Sequence, residues 1–189
     1  MKKNLIITLI LSLVLVITLL ATPALRHDIV EFLSVSYSQR NFSETPITDE
    51  KIQQILEAGH RAGSAGNLQP WHFTVIRNKE LINDIMTGVT DENVLIVVSG
   101  PREHPRGFSV EFDTALATQK MFTAAQALGL GARMYVRPIR NLNENLLDRL
   151  DLPEDFHAIM ILRIGHIDVD AVSTASPRQP LESKVNFIN

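Results

Sequence analysis

The chain has 189 residues, 45% hydrophobic and 21% charged, with a formal net charge of -3, the composition of one globular domain with a sizeable core. Its 18 Lys and Arg are scattered and form no basic block interleaved with aromatics, so no nucleic-acid partner is expected. The absence of cysteine removes disulfides, thiol catalysis and thiolate metal sites, and six histidines without H-E-x-x-H spacing give no reason to expect a metal.

Lys2 and Lys3 precede an uncharged stretch, Leu5 to Ala21, broken only by Thr8, Ser12 and Thr18. That is close to the minimum length of a membrane-spanning helix. Thr22-Pro23-Ala24 is a mediocre cleavage site, which favours an uncleaved anchor and leaves a removed signal as the alternative. The lysines lie before the segment, so the positive-inside tendency puts the rest of the chain on the outer face. Residues 1–25 are therefore read as the anchor or signal and residues 26–189 as one domain.

Asp28 to Ser38 reads as a short helix with Ile29, Phe32, Leu33 and Ser36 along one side, followed by an extended segment from Arg40 to Pro46. Thr48 is placed to cap the next helix, with Asp49 and Glu50 at its positive end and Ile52, Ile55, Leu56 and Gly59 at helical spacing; Gly63 is expected to end it. Phe73-Thr74-Val75-Ile76 is a strand, Lys79 to Met86 a short helix, and Val94 to Val98 a strand buried on both faces. From Phe112 to Leu128 apolar residues cover much of a helix circumference. That helix is expected to be buried nearly all round and to form a dimer core. Glu111 and Asp113 supply favourable charge at its start. Gly129-Leu130-Gly131 stops it, Ala132 to Val136 is a strand, Asn143 to Leu150 a helix and Ala158 to Ile164 a last strand. Gly129-Leu130-Gly131 follows a helix and lacks Lys-Ser/Thr, so it is no P-loop or dinucleotide fingerprint.

Three clusters stand apart from this core pattern. Ser64-Ala65-Gly66-Asn67-Leu68-Gln69-Pro70-Trp71-His72-Phe73 puts small and amide-bearing residues in a turn between a helix and a strand, where backbone donors and an Asn side chain can meet a flat polar ligand. Ser38-Gln39-Arg40-Asn41-Phe42 precedes that helix, and Pro177-Arg178 lies near the end of the chain. Arg40 and Arg178 are phosphate candidates, because a guanidinium grips phosphate through two parallel charge-assisted bonds, and Ser38 would add a hydroxyl. Trp71 is read as core packing.

Together these residues resemble the nitroreductase-like flavoprotein family, whose members bind FMN with S-x-R-x-[FY], then P-S-x-x-N-x-Q-P-W after the next helix, and a late arginine. The resemblance spans about Val30 to Val185. It implies an α+β fold with a central, mostly antiparallel sheet flanked by helices. It also implies a homodimer with FMN at the interface, and two-electron transfer from a small-molecule donor such as NAD(P)H to nitroaromatic, quinone or similar acceptors, with the chemistry on the flavin and no catalytic side chain. Ser64, Ala65, Asn67 and Gln69 correspond to contacts of the flavin ring and the segment beneath it. Tyr135, Val136 and Arg137 correspond to backbone contacts at its pyrimidine edge. Ser36 stands where relatives usually have an arginine, and Gly63 where they have a proline, which implies one phosphate contact fewer and a looser loop. The short Ser99 to Glu111 segment implies an open, less selective pocket. A membrane-anchored flavin-binding or structural protein with little turnover is the alternative.

Overall fold

The computed structural model describes residues 28–171 and 175–188. Residues 1–36 and 37–189 are separate compact units. In the first, a helix (α1) covers residues 28–35, shorter than expected, and the Ser36 hydroxyl turns back to the Leu33 carbonyl at 3.5 Å. The expected membrane segment lies outside the described residues. Among those described, no helix is long and apolar enough to cross a membrane.

The second unit is built on four strands, β1 (His72–Ile76), β2 (Val94–Pro101), β3 (Leu130–Tyr135) and β4 (Phe156–His166), all antiparallel in the order β1-β2-β4-β3. The central position of β2 explains its composition. Val94, Ile96 and Val98 enter the core beneath α2 (Asp49–His60) and α4 (Val110–Ala127), while Leu95 and Val97 enter a second core beneath α3 (Lys79–Ile85) and the helical segment that starts at Ile139–Asn141 (α5). An uninterrupted apolar run is what a strand covered on both faces requires, each such side chain contributing about 1.5–3 kcal/mol on burial. The expected α+β sheet flanked by helices is present.

Several boundaries differ from the expected ones. Thr48 caps α2 by accepting from the Lys51 amide at 3.4 Å, but the helix ends at His60 with Arg61 as its cap, before Gly63. The stretch expected to be helical from Asn143 starts four residues earlier, at Ile139, and runs as uneven turns to Leu150, where Asp151 at φ 49° stops it. Helix α4 is buried on one side only: Ala117, Met121 and Ala125 face the core, whereas Phe112 is 75% and Leu116 53% exposed. The expectation of burial all round fails for a single chain.

One packing arrangement positions the segment that carries Arg40. Gly131 of β3 and Gly165 of β4 are direct cross-strand partners. A Cβ on Gly131 would stand 2.7 Å from Gln39 and 3.1 Å from Phe42, and one on Gly165 would stand 2.8 Å from Phe42. The two glycines are thus a flat seat on which residues 39–42 lie. The Gln39 amide donates to the Ala132 carbonyl at 3.0 Å, and Phe42 pairs with Ile167. Beneath Phe42 the buried Arg163 guanidinium, 4.1 Å from the ring, donates to Asn93 and Thr90 at 2.9 Å. Burial lowers the pKa of Arg163 from the ordinary arginine value, with a Tyr135 hydrogen bond opposing the shift.

Candidate functional site

The turn from Ser64 to Gln69 is tightly specified. The Ser64 side chain accepts from the Gln69 amide at 2.9 Å and its carbonyl from the Asn67 amide at 3.0 Å. Gly66, Asn67 and Gln69 have φ of 61°, 56° and 52°. For the two non-glycine residues that left-handed backbone costs on the order of 1–3 kcal/mol each, and such strain persists only where the surroundings fix it. The fixing group is Asp113 on the first turn of α4: its carboxylate accepts the Ala65 amide at 3.0 and 3.2 Å and is only 4% exposed. Asp113 is therefore more than favourable charge at a helix start. The side-chain amide of Asn67, an exposed residue, has no hydrogen-bond partner among the described residues, so the turn presents hydrogen-bonding capacity it does not use itself. Trp71 is buried in the core against Phe73, as its core reading requires.

Asp113 has a second neighbour. His104, fully enclosed at its side chain, faces the carboxylate through Nε2 at 3.3 Å, within ion-pair range though not aligned as a hydrogen bond. Its Nδ1 accepts from the amides of Arg106 at 3.1 Å and Phe108 at 3.4 Å, which leaves the ring proton on Nε2. The short segment before α4 is thus a folded loop clamped to the turn. Sequence spacing gave no sign of this clamp, because His104 and Asp113 are nine residues apart on either side of an irregular loop and meet Ala65 from another part of the chain.

The second cluster is also assembled. Arg40 donates through Nη2 to the Ser176 hydroxyl at 3.4 Å, which brings S-x-R against the residue just before Pro177-Arg178. Arg40, Ser38 and Arg178 are exposed, and neither arginine has an acidic ion-pair partner among the described residues. Gln39, which the sequence reading passed over, is 2% exposed and accepts the Arg40 amide at 2.7 Å, fixing the backbone that carries the guanidinium. Tyr135 ends β3 with Arg133 stacked 5.0 Å over its ring, and Val136 and Arg137 follow exposed. Ser36 belongs to the other unit.

These two clusters do not meet within one chain. The turn is tied to α4 at Asp113, near its start, whereas the Arg40 segment is tied near its end, where Gln126 donates to the Tyr37 carbonyl. Thirteen residues of helix at ~1.5 Å each separate them by about 20 Å. The ribityl chain between a flavin ring and its phosphate does not span that gap. A cavity of about 190 Å³ beside α3 contains none of the expected residues. Arg77 and Lys79 in its wall are already paired with Asp49 and Asp91. No group of residues suited to a metal occurs among those described.

A four-stranded antiparallel sheet lies between helices, with a strained amide-bearing turn near one end of the central helix α4 and the segment bearing Arg40 near the other. A nitroreductase family model matches residues 36–92, which include both S-x-R and the turn. A protein of Archaeoglobus fulgidus, described provisionally as an NADH dehydrogenase/NAD(P)H nitroreductase, is 31% identical over 149 residues, covering 72% of this chain and 85% of that one. The chain belongs to the nitroreductase family. Among solved structures, a nitroreductase with bound FMN from Bacteroides fragilis superposes with a TM-score of 0.73 at 18% identity, over 85% of this chain and 98% of that one. A nitroreductase with bound FMN from Desulfitobacterium hafniense gives 0.69 at 23% identity, over 85% and 97%.

Proposed function

We propose that the protein is an FMN-dependent oxidoreductase that moves two electrons from NAD(P)H to nitroaromatic, quinone or similar acceptors, with each flavin shared between the two chains of a homodimer. The observation that carries this reading is the separation of the two half-sites along α4: the residues suited to the ring and those suited to the phosphate need a second copy to come together. The names of the relatives, NAD(P)H nitroreductase and NADPH-dependent oxidoreductase among them, and the FMN bound in the structural neighbours support it.

In this reading Arg40 and Arg178 hold the phosphate, with Ser38 adding a hydroxyl. Asn67 and Gln69 of the other chain meet the ring's polar edge, and Ser64 and Ala65 pack beneath it without intruding. The backbone from Tyr135 to Arg137 lies at the pyrimidine edge. FMN, when bound, supplies hydride chemistry; the chain orients it and leaves one face open for donor and acceptor in turn. The apolar stretch from Leu5 to Ala21 anchors the protein with its domain on the outer face. A reporter fused after Asn189 tests that placement, activity in the cytoplasm being the contrary result.

The absorption spectrum of the purified protein, followed by anaerobic titration with NADH and NADPH, tests the function. A yellow protein bleached by either nucleotide is the expected result. A yellow protein that neither nucleotide bleaches points to a flavin-binding protein with little turnover, and a colourless protein that takes up no added FMN removes the flavin reading altogether.

A further inference from the structure

The loop clamped by His104 carries two groups that belong to neither family motif. Arg106 is exposed and its guanidinium lies against Gly66, in space that a Cβ at that position would occupy. It has no acidic partner among the described residues. Two residues on, Phe108 is 59% exposed, its ring held edge-on by His104 at a centroid distance of 5.6 Å and 76°. A surface arginine on a free loop samples many positions. Here the backbone amides of both residues are bound by a fully enclosed imidazole, so the stretch of backbone that carries the cation and the ring is held beside the turn. An exposed aromatic two residues from a guanidinium that lies against the turn suits a ligand with a flat base and a phosphate, the base stacking while the guanidinium makes paired charge-assisted bonds. A small nitroaromatic or quinone offers a ring but no phosphate.

We infer that Arg106 and Phe108 form the recognition site for the phosphate-bearing half of a nicotinamide dinucleotide, docking the donor against the turn at Ser64–Gln69. This rests on the reading of that turn as part of the flavin site. The glycine at position 66 then has a specific purpose: it leaves room for the guanidinium to lie over the turn. Loop, clamp and turn form one unit through Asp113, so the docking group keeps its register with the ring-binding backbone.

The test uses the full-length FMN-loaded protein and donor fragments that lack nicotinamide, ADP-ribose and 2′-phospho-ADP-ribose, titrated calorimetrically against wild type, Arg106→Gln, Arg106→Lys and Phe108→Ala. Arg106→Gln should weaken both fragments, or the 2′-phosphorylated one alone, by roughly tenfold or more, with FMN affinity unchanged and partial recovery in Arg106→Lys. Equal losses assign the pyrophosphate, and a loss confined to the phosphorylated fragment assigns the 2′-phosphate; either upholds the site. Unchanged binding in Arg106→Gln, no binding of either fragment by wild type, or a parallel loss of FMN would overturn it. Wild-type affinity for FMN is measured separately, so a failure of the flavin reading is seen as such, and the fragment titrations are then run on the flavin-free protein to decide Arg106.

Discussion

Arg40 and Asp113 show what single side chains do at the two half-sites, and the consequences of removing them differ. Arg40 is exposed and makes only a long bond to Ser176, so its loss should leave the fold intact and act on the ligand. Arg40→Ala and Arg178→Ala should each weaken FMN by about tenfold to a hundredfold, since a charge-assisted bond is lost, while riboflavin, which lacks the phosphate, loses little. Equal losses for the two flavins in a fluorescence titration would mean that the arginines support structure instead. Asp113 is the opposite case. Its carboxylate is buried and is the acceptor for the Ala65 amide, so Asp113→Ala strands that donor and removes the group facing His104. Leaving a buried donor unsatisfied costs about 1–3 kcal/mol, a fall of roughly 2–12 °C in melting temperature for a domain of this size. Asp113→Asn keeps one acceptor oxygen and should recover part of the loss. A thermal melt of Asp113→Ala that matches wild type would show that the turn holds its strained backbone by other means.

At the scale of elements, β2 and α2 were legible in the sequence because their patterns have a single physical solution: five successive apolar residues from Val94 need cover on both faces, and Thr48 with Asp49 and Glu50 mark a helix start. What was hidden depended on contacts between distant segments. Nothing local in Gln39 distinguishes it from a surface glutamine, yet the Gly131–Gly165 pair buries it. The strain at Asn67 and Gln69 and the clamp at His104 are likewise set by Asp113, which looked like ordinary helix-dipole charge. The exposed face of α4 was misjudged because composition records how apolar a helix is, and the partner that covers it belongs to another chain in the reading proposed above. The glycine pair gives a test at this scale. A Cβ at Gly165 would stand 2.6 Å from the Asn93 amide and 2.8 Å from Phe42, so Gly165→Ala should destabilise by about 1–3 kcal/mol through overpacking. It should also lift the segment bearing Arg40 and weaken FMN more than riboflavin. Wild-type stability together with wild-type FMN affinity would show that residues 39–42 do not depend on this seat.

For the whole molecule the decisive question is whether one chain can complete a site. The half-sites lie about 20 Å apart along α4, and the side of that helix turned away from the sheet exposes Phe112 and Leu116, with Gln119 and Ala127 continuing the stripe at helical spacing. Two large apolar side chains exposed on one regular face suit the dimer interface proposed above. Ala127, farther along the stripe, allows close approach of a second helix. Neither Phe112 nor Leu116 belongs to the phosphate or ring clusters, so a substitution there separates assembly from direct ligand contact. Leu116→Glu places a carboxylate where the two copies of α4 would meet and should convert the protein to monomers in sedimentation experiments. Because Leu116 is exposed in the single chain, the monomer should remain folded, with a melting transition still present and far-ultraviolet dichroism unchanged. Flavin affinity should nevertheless fall steeply, since each chain then offers only half a site. A folded Leu116→Glu monomer that binds FMN as tightly as wild type would refute the shared site, and the ring and phosphate contacts would then have to be sought within one end of α4.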